Sequence, residues 1–328
     1  MAASQHLLHD GSCSSVPPRR AGRHGFRHEV IFHSDGADGF ARQTMPLIER
    51  ALEHRAPVLL AVSPDRIAVL REALGAQAGR VGFLDIRRLG SNPARMIPAW
   101  REFLRGAEIG KGEPLGIGEP VWSGRSTAEL DECWRHEALL NLAFGVGRPW
   151  RLLCPYDLDA LEDHVIEAAH LCHPPITVPD DGRPSSCYRR QIRPFDGTLE
   201  EPPAEADELC FGEAELGLVR RRLSGWARAQ GLPTEAVQDL VLAVDEIATN
   251  SIRHGGGSGR LRMWRHGPAL LCEIRDRGRM RDPLLGRVQP GEEAVCGRGM
   301  WIVNQLCDLV QIRSSASGSQ IRLHKRLA

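Results

Sequence analysis

Short apolar runs and longer amphipathic stretches alternate from Val30 onward. Val30-Ile31-Phe32 precedes an amphipathic stretch over 39–55, Pro57 to Val62 precedes 64–74, and Val81 to Ile86 precedes 94–107. Leu115 to Val121 leads into 127–144, and Arg151 to Cys154 into 158–171. Runs that are apolar along their whole length suit strands covered on both faces, and the stretches between them are long enough to return as helices. The pattern predicts an α/β class, with a doubly wound, mostly parallel sheet over 27–173.

The text changes on either side of this region. Residues 1–26 are rich in Ser, Gly, Pro, Arg and His without periodicity, which predicts a disordered tail. Between 174 and 207, Pro174-Pro175, Pro179-Asp180-Asp181-Gly182 and Pro202-Pro203 mark a linker. From 208 to 328 the order becomes two helices, a hairpin, a Gly/Pro-broken stretch, one helix and a terminal hairpin, which predicts an α+β sandwich. The chain is thus expected to hold two dissimilar domains, without internal repeats.

Charge narrows the partners. The chain has 42 basic and 42 acidic residues, so no whole-chain basic field holds nucleic acid or an anionic membrane. No apolar run of spanning length and no leader-like core opens the chain, and a cytoplasmic location is expected. The 9 cysteines include no CxxC, and most lie inside apolar stretches, as reduced cysteines do. The cluster His164, His170, Cys172, His173 is the one place where a metal could be argued, and its spacing matches no zinc pattern.

The chemistry concentrates in the second domain. Val237, Leu240, Val241, Val244, Ile247, Ala248 and Ile252 predict one amphipathic helix from Pro233 to about Arg253. Glu246 and Asn250, four apart, project one turn apart on its other face. A carboxylate beside a neutral amide oxygen suits phosphoryl transfer: the amide helps to hold magnesium, and the carboxylate deprotonates an attacking hydroxyl. Such a pair is also common on solvated helix faces. After the half-buried strand of Leu270, Cys272 and Ile274 comes Asp276-Arg277-Gly278, which presents a carboxylate with a side-chain-free residue two later. Gly297-Arg298-Gly299 then opens a helical run, where free backbone N–H groups favour polyphosphate.

Taken together, Asp245-Glu246-Ile247-Ala248-Thr249-Asn250-Ser251, Asp276-Arg277-Gly278 and Gly297-Arg298-Gly299-Met300 resemble the N, G1 and G2 boxes of the GHKL (Bergerat-fold) ATPases. Among these, the bacterial anti-sigma-factor serine/threonine kinases are the subgroup resembled. The resemblance implies ATP and Mg2+ as cofactors. It implies that Asn250 coordinates the metal, Glu246 acts as base, Asp276 binds adenine with Gly278, and Gly297, Arg298 and Gly299 meet the phosphates. It further implies an anti-anti-sigma (STAS-type) protein or a sigma factor as partner, with a homodimer left open. Met300-Trp301 follows the last glycine where the family often has another glycine.

Two other readings stand beside the kinase: a non-catalytic, ATP-dependent partner-binding switch, and an orphan histidine kinase. The second would need His136, in His136-Glu137-Ala138-Leu139-Leu140-Asn141, as phosphoacceptor, although no helical dimerisation hairpin precedes the ATP segments.

The first domain offers no phosphate cradle. Gly106 to Gly112 is one residue short of a P-loop and lacks the following Ser or Thr, and Ser34 to Gly39 carries two acids and no lysine. Ligands of open parallel sheets bind beyond the strands' carboxyl ends, where His33, Asp35, Ser63, Glu119, Trp122, Tyr156 and Asp157 collect. These could hold a small, partly apolar molecule or simply form a loop layer. Residues 28–174 resemble the MEDS sensory family through Glu119-x-x-Trp122, His136-Glu137-x-x-Leu140-Asn141, Cys154-x-Tyr156-Asp157 and His173-Pro174. That resemblance implies a RecA-like scaffold that senses small hydrocarbon derivatives, with Asp35, Glu119, Trp122, Tyr156 and Asp157 as candidate ligand contacts.

Overall fold

The computed structural model describes residues 25–108, 111–173, 195–291 and 297–327. Residues 1–24 of the expected tail and 174–194 of the expected linker lie outside the described residues. The N-terminal half runs β1 (Phe26–His33), α1 (Gly36–Glu53), β2 (Val58–Val62), α2 (Pro64–Leu74), β3 (Val81–Asp85) and a short α3 (Ile86–Leu89). It continues with α4 (Met96–Gly106), β4 (Leu115–Gly118), α5 (Thr127–Ala143), β5 (Trp150–Asp157) and α6 (Asp163–Cys172). The five strands form one parallel sheet in the order β1-β5-β4-β2-β3.

Strand periodicity sends alternate residues of this sheet to two cores. Val30, Leu152, Cys154 and Tyr156 pack with α4, α5 and α6, while Leu60, Val62, Ile117 and Leu153 pack with α1 and α2. Helix α5 starts at a capping box in which Glu129 N–H donates to Ser126 Oγ and the Glu129 carboxylate accepts from Ser126 N–H.

The C-terminal half runs β6 (Asp207–Phe211), α7 (Leu216–Ala229), α8 (Thr234–His254), β7 (Gly259–His266), β8 (Ala269–Asp276), α9 (Arg298–Leu306), β9 (Leu309–Ser315) and β10 (Gly318–Arg326). Its strands pair antiparallel in the order β6-β7-β8-β10-β9. One face carries Leu261, Met263, Cys272, Ile274, Ile321 and Leu323 against the three helices. The predicted sandwich therefore forms, with edge strand β6 added. No helix among the described residues is long and apolar enough to cross a membrane.

The sheet's other face is polar yet largely covered. Glu273 is fully buried there, accepting from Arg322 Nη2 at 2.6 Å, Arg275 Nε at 2.7 Å and Gln320 Nε2 at 2.8 Å. Residues 195–206 run over it: Leu199 is buried, Phe195 O accepts from Ser314 N–H at 3.1 Å, and Glu201 pairs with Arg275 at 2.9 Å. His324 on the same face contacts Gln311 Oε1 at 3.0 Å. Burial, helped by Arg322, His266 and Arg326, pushes its imidazole down to about 3 from an ordinary 6.5. The unfolded chain then binds one more proton than the folded one between those values, so stability falls as pH drops from 6.5 toward 3. The expected slope from this group is at most about 1.4 kcal/mol per pH unit, and His324→Gln should flatten the acid limb of a denaturation series. An unchanged limb would show that His324 titrates normally.

Candidate functional site

Helix α8 buries Val237, Leu240, Val244, Ile247 and Ala248 in the core, which leaves Glu246 and Asn250 half-buried on its far side. Gly255 ends the helix directly against Asp276 at the end of β8. A Cβ on Gly255 would lie 2.6 Å from Asp276 Cγ, and Gly255 O accepts from Arg277 N–H at 3.0 Å. The Asp276 carboxylate accepts from Ser251 Oγ at 2.6 Å, Ser319 Oγ at 2.6 Å and Gly278 N–H at 2.7 Å. An ionised carboxylate offers about four lone-pair sites, so capacity for a further donor remains.

Gly278 is tightly enclosed, since a Cβ would stand 3.0 Å from both Asp276 Oδ1 and His254 O. Gly297 caps α9 in the left-handed region, φ 92°, which glycine adopts without strain. Gly299 seats the first turn of α9 on α8: a Cβ there would lie 2.7 Å from Glu246 Oε2 and 3.3 Å from Asn250 Nδ2. The structure thus brings Glu246, Asn250, Gly297 and Gly299 into one corner and Asp276 with Gly278 beside the end of α8. Exposed Arg298 is the first residue of α9, where backbone N–H groups have no intrahelical acceptor. Residues 292–296, in the Gly/Pro-broken stretch, lie outside the described residues.

Ser251 and Ser319 escaped the sequence reading. Ser251 follows Asn250 directly, a signal that was available, whereas Ser319 reaches Asp276 only because β10 pairs with β8 in that register.

The C-terminal end of α9 is held by the other domain. Arg95 Nε donates to Asn304 O at 2.8 Å, and its Nη2 to Gln305 O at 2.9 Å and Cys307 O at 2.7 Å. A cation at a helix C-terminus satisfies carbonyls that have no partner and meets the negative end of the dipole. Asn92 Nδ2 adds a bond to Asn304 O at 3.1 Å. Leu284, in the segment before α9, packs on the N-terminal core, and Arg287 lies 3.6 Å from Glu132 of α5. Arg313 completes the contact, with Nη1 2.8 Å from Glu132 Oε1 and Nη2 2.5 Å from Asp131 Oδ2.

At the carboxyl ends of the parallel sheet, Arg66 draws the predicted polar residues together. Its guanidinium lies 2.8 Å from Glu119 Oε1 and 3.3 Å from Asp157 Oδ2, and Asp157 is 3.9 Å from His33 Nδ1. Burial raises the Glu119 carboxyl above its ordinary range, with Arg66 pulling the other way. Tyr156 is not part of this group: β5 alternation turns its ring to the other face, against Phe32 and His173. Trp122 stacks under Arg125 at 3.5 Å, and exposed Asp35 pairs with Arg42. His136 is buried, and burial pushes its imidazole down to about 3. An imidazole enclosed in this way is not presented to a phosphate donor, which argues against a histidine kinase reading.

Two family models match the chain. Residues 27–174 match MEDS, the methanogen/methylotroph, DcmR sensory domain, and residues 212–325 match the histidine kinase-like ATPase domain. The chain carries a MEDS domain followed by a histidine kinase-like ATPase domain. No curated protein matches it. Among solved structures, the RsbU and RsbW domains of a Mycobacterium tuberculosis protein are similar at 18% identity and a TM-score of 0.28. That similarity covers 37% of this chain and 32% of the other. The ATPase domain match supports an ATP-binding signalling regulator, and Arg95 and Asn92 of the MEDS domain hold the helix that begins at its glycine loop.

Proposed function

We propose that the chain is an ATP-dependent serine/threonine protein kinase of the anti-sigma-factor type, governed by its MEDS domain, with an anti-anti-sigma (STAS-type) protein as phosphoacceptor. The seating of Gly299 against Glu246 and Asn250 carries this reading. It sets a carboxylate, an amide and the N-terminal backbone N–H groups of α9 at one corner, with a carboxylate suited to an exocyclic amine nearby.

In this reading Asp276 accepts from adenine, Gly278 lets the base approach the backbone, and the amides after Gly297 meet phosphate oxygens, with Arg298 adding charge. The donor set fits magnesium, since an amide oxygen and phosphates are hard ligands: Asn250 would hold it, and the ion supplies neutralisation of phosphate charge. Glu246 orients the acceptor hydroxyl and takes its proton.

Glu246→Gln keeps the size and removes the base. It should slow transfer of the γ-phosphate from labelled ATP to an STAS-type acceptor protein by about a hundredfold or more, while affinity for a fluorescent ATP analogue changes little. Phosphosite mapping of proteins retained on the wild-type chain with ATP should find phosphoserine or phosphothreonine, lost with the variant. Turnover at the wild-type rate in Glu246→Gln would reject the catalytic assignment and leave the partner-binding switch.

A further inference from the structure

Four side chains from four elements of the MEDS domain converge in its core between the sheet, α5 and α6. They are His28 on β1, Glu137 on α5, Cys154 on β5 and His173 just after α6, all buried. One ligand atom from each lies within 4.8 Å of the other three. His28 Nε2 is 3.2 Å from Cys154 Sγ and 3.4 Å from Glu137 Oε2, and His173 Nε2 is 3.1 Å from the same carboxylate oxygen.

The outer nitrogens fix where the protons are. His173 Nδ1 lies 2.7 Å from Ala169 O, which can only accept, so Nδ1 carries hydrogen. Asn141 Nδ2 donates to Cys172 O at 3.0 Å, which turns Asn141 Oδ1 toward His28 Nδ1 at 3.2 Å, so this nitrogen also carries hydrogen. In the neutral rings both Nε2 atoms then present lone pairs inward, toward a carboxylate whose two buried oxygens have no well-aligned donor. Without a metal, protons must relieve this: Cys154 S–H can donate to His28 Nε2 at 3.2 Å and one imidazolium to Glu137, since a second would bury two cations with ring centroids 4.3 Å apart beside one carboxylate.

We propose that His28, Glu137, Cys154 and His173 bind one divalent transition-metal ion of the zinc class. Two neutral imidazoles, a carboxylate and a thiolate form an N2OS set, and their two negative charges cancel those of the cation. Ligand bonds of roughly 2.0–2.3 Å put the corners of a tetrahedron about 3.3–3.7 Å apart, close to the three separations above, with the remaining pairs within 4.8 Å. The outer ring N–H groups donate to Ala169 O and Asn141 Oδ1, which fixes the orientation of both rings toward the ion. With four protein ligands the site is closed, and it ties β1, β5, α5 and α6 together. Of the cysteine and histidine cluster over 164–173, only His173 belongs to it.

The test uses the full chain, purified with its affinity tag removed, kept reduced, and dialysed against Co2+. About one cobalt per chain is expected, with a thiolate-to-cobalt charge-transfer band in the near ultraviolet. Cys154→Ser should abolish that band, whereas Cys272→Ala in the ATPase domain should keep it. Glu137→Gln and His173→Asn should lower retained cobalt at least about tenfold. If Cys154→Ser fails to fold, the wild-type spectrum decides alone. Folded wild-type chain that retains under about a tenth of an equivalent, or cobalt bound without the band, overturns the proposal.

Discussion

Gly299→Ala is expected to abolish phosphoryl transfer while leaving the protein folded and its melting temperature nearly unchanged. The new methyl would lie 2.7 Å from Glu246 Oε2 and 3.3 Å from Asn250 Nδ2, the far ends of two flexible side chains rather than backbone. The helices therefore stay in place, and the base and the amide are displaced instead. Gly278→Ala differs in kind, because its methyl would meet His254 O at 3.0 Å and Gly255 Cα at 3.1 Å, which are backbone atoms. Overpacking against backbone costs about 1–3 kcal/mol, so this variant should lower the melting temperature and weaken ATP binding about tenfold to hundredfold. Transfer of labelled γ-phosphate to an acceptor protein, titration with a fluorescent ATP analogue and a thermal melt separate the two. Full turnover in Gly299→Ala would show that the glycine loop and the α8 pair serve different sites.

The alternation of strands and helices was legible because a parallel sheet buried on both faces leaves uninterrupted apolar runs. Edge strand β6 was not, since Asp207-Glu208-Leu209-Cys210-Phe211 buries only Phe211 and stands at the end of an acidic, proline-rich stretch. Glu246, Asn250, Asp276, Gly278, Gly297 and Gly299 could be read because each sits in a short local motif and the order of motifs is itself informative. Arg66 could not, because a charged residue on a helix reads as solvent-facing until the fold sets Glu119 and Asp157 beside it. The proposed metal ligands were hidden for a related reason. Metal spacing rules see ligands a few residues apart, whereas here one ligand comes from each of four elements and strand alternation alone puts His28 and Cys154 on the same face.

Removing the Glu132 carboxylate should loosen the MEDS domain from the ATPase domain and carry the change into nucleotide binding. Glu132 is 3% exposed and faces Arg313 at 2.8 Å and Arg287 at 3.6 Å, both of them buried. Truncating one partner of a buried ion pair costs about 3–5 kcal/mol where the remaining charge is left without compensation; here Arg313 keeps Asp131 at 2.5 Å, so the loss falls mainly on Arg287 and the cost lies toward the lower end. In Glu132→Ala the excess positive charge lies between the domains, so the contact is where the strain is relieved. Thermal unfolding should split into two transitions. Arg287 belongs to the segment leading into α9, and Arg95 holds that helix's last carbonyls, so the position of Gly299 depends on the same contact. ATP affinity should therefore shift in Glu132→Ala, and Arg95→Ala should reproduce the shift with a smaller loss of stability. A single transition with unaltered ATP affinity in both variants would mean that the two domains touch without influencing each other. Helix α5 also carries Glu137 five residues beyond Glu132, so a change in the MEDS core that moves this helix reaches the ATPase domain through one rigid element.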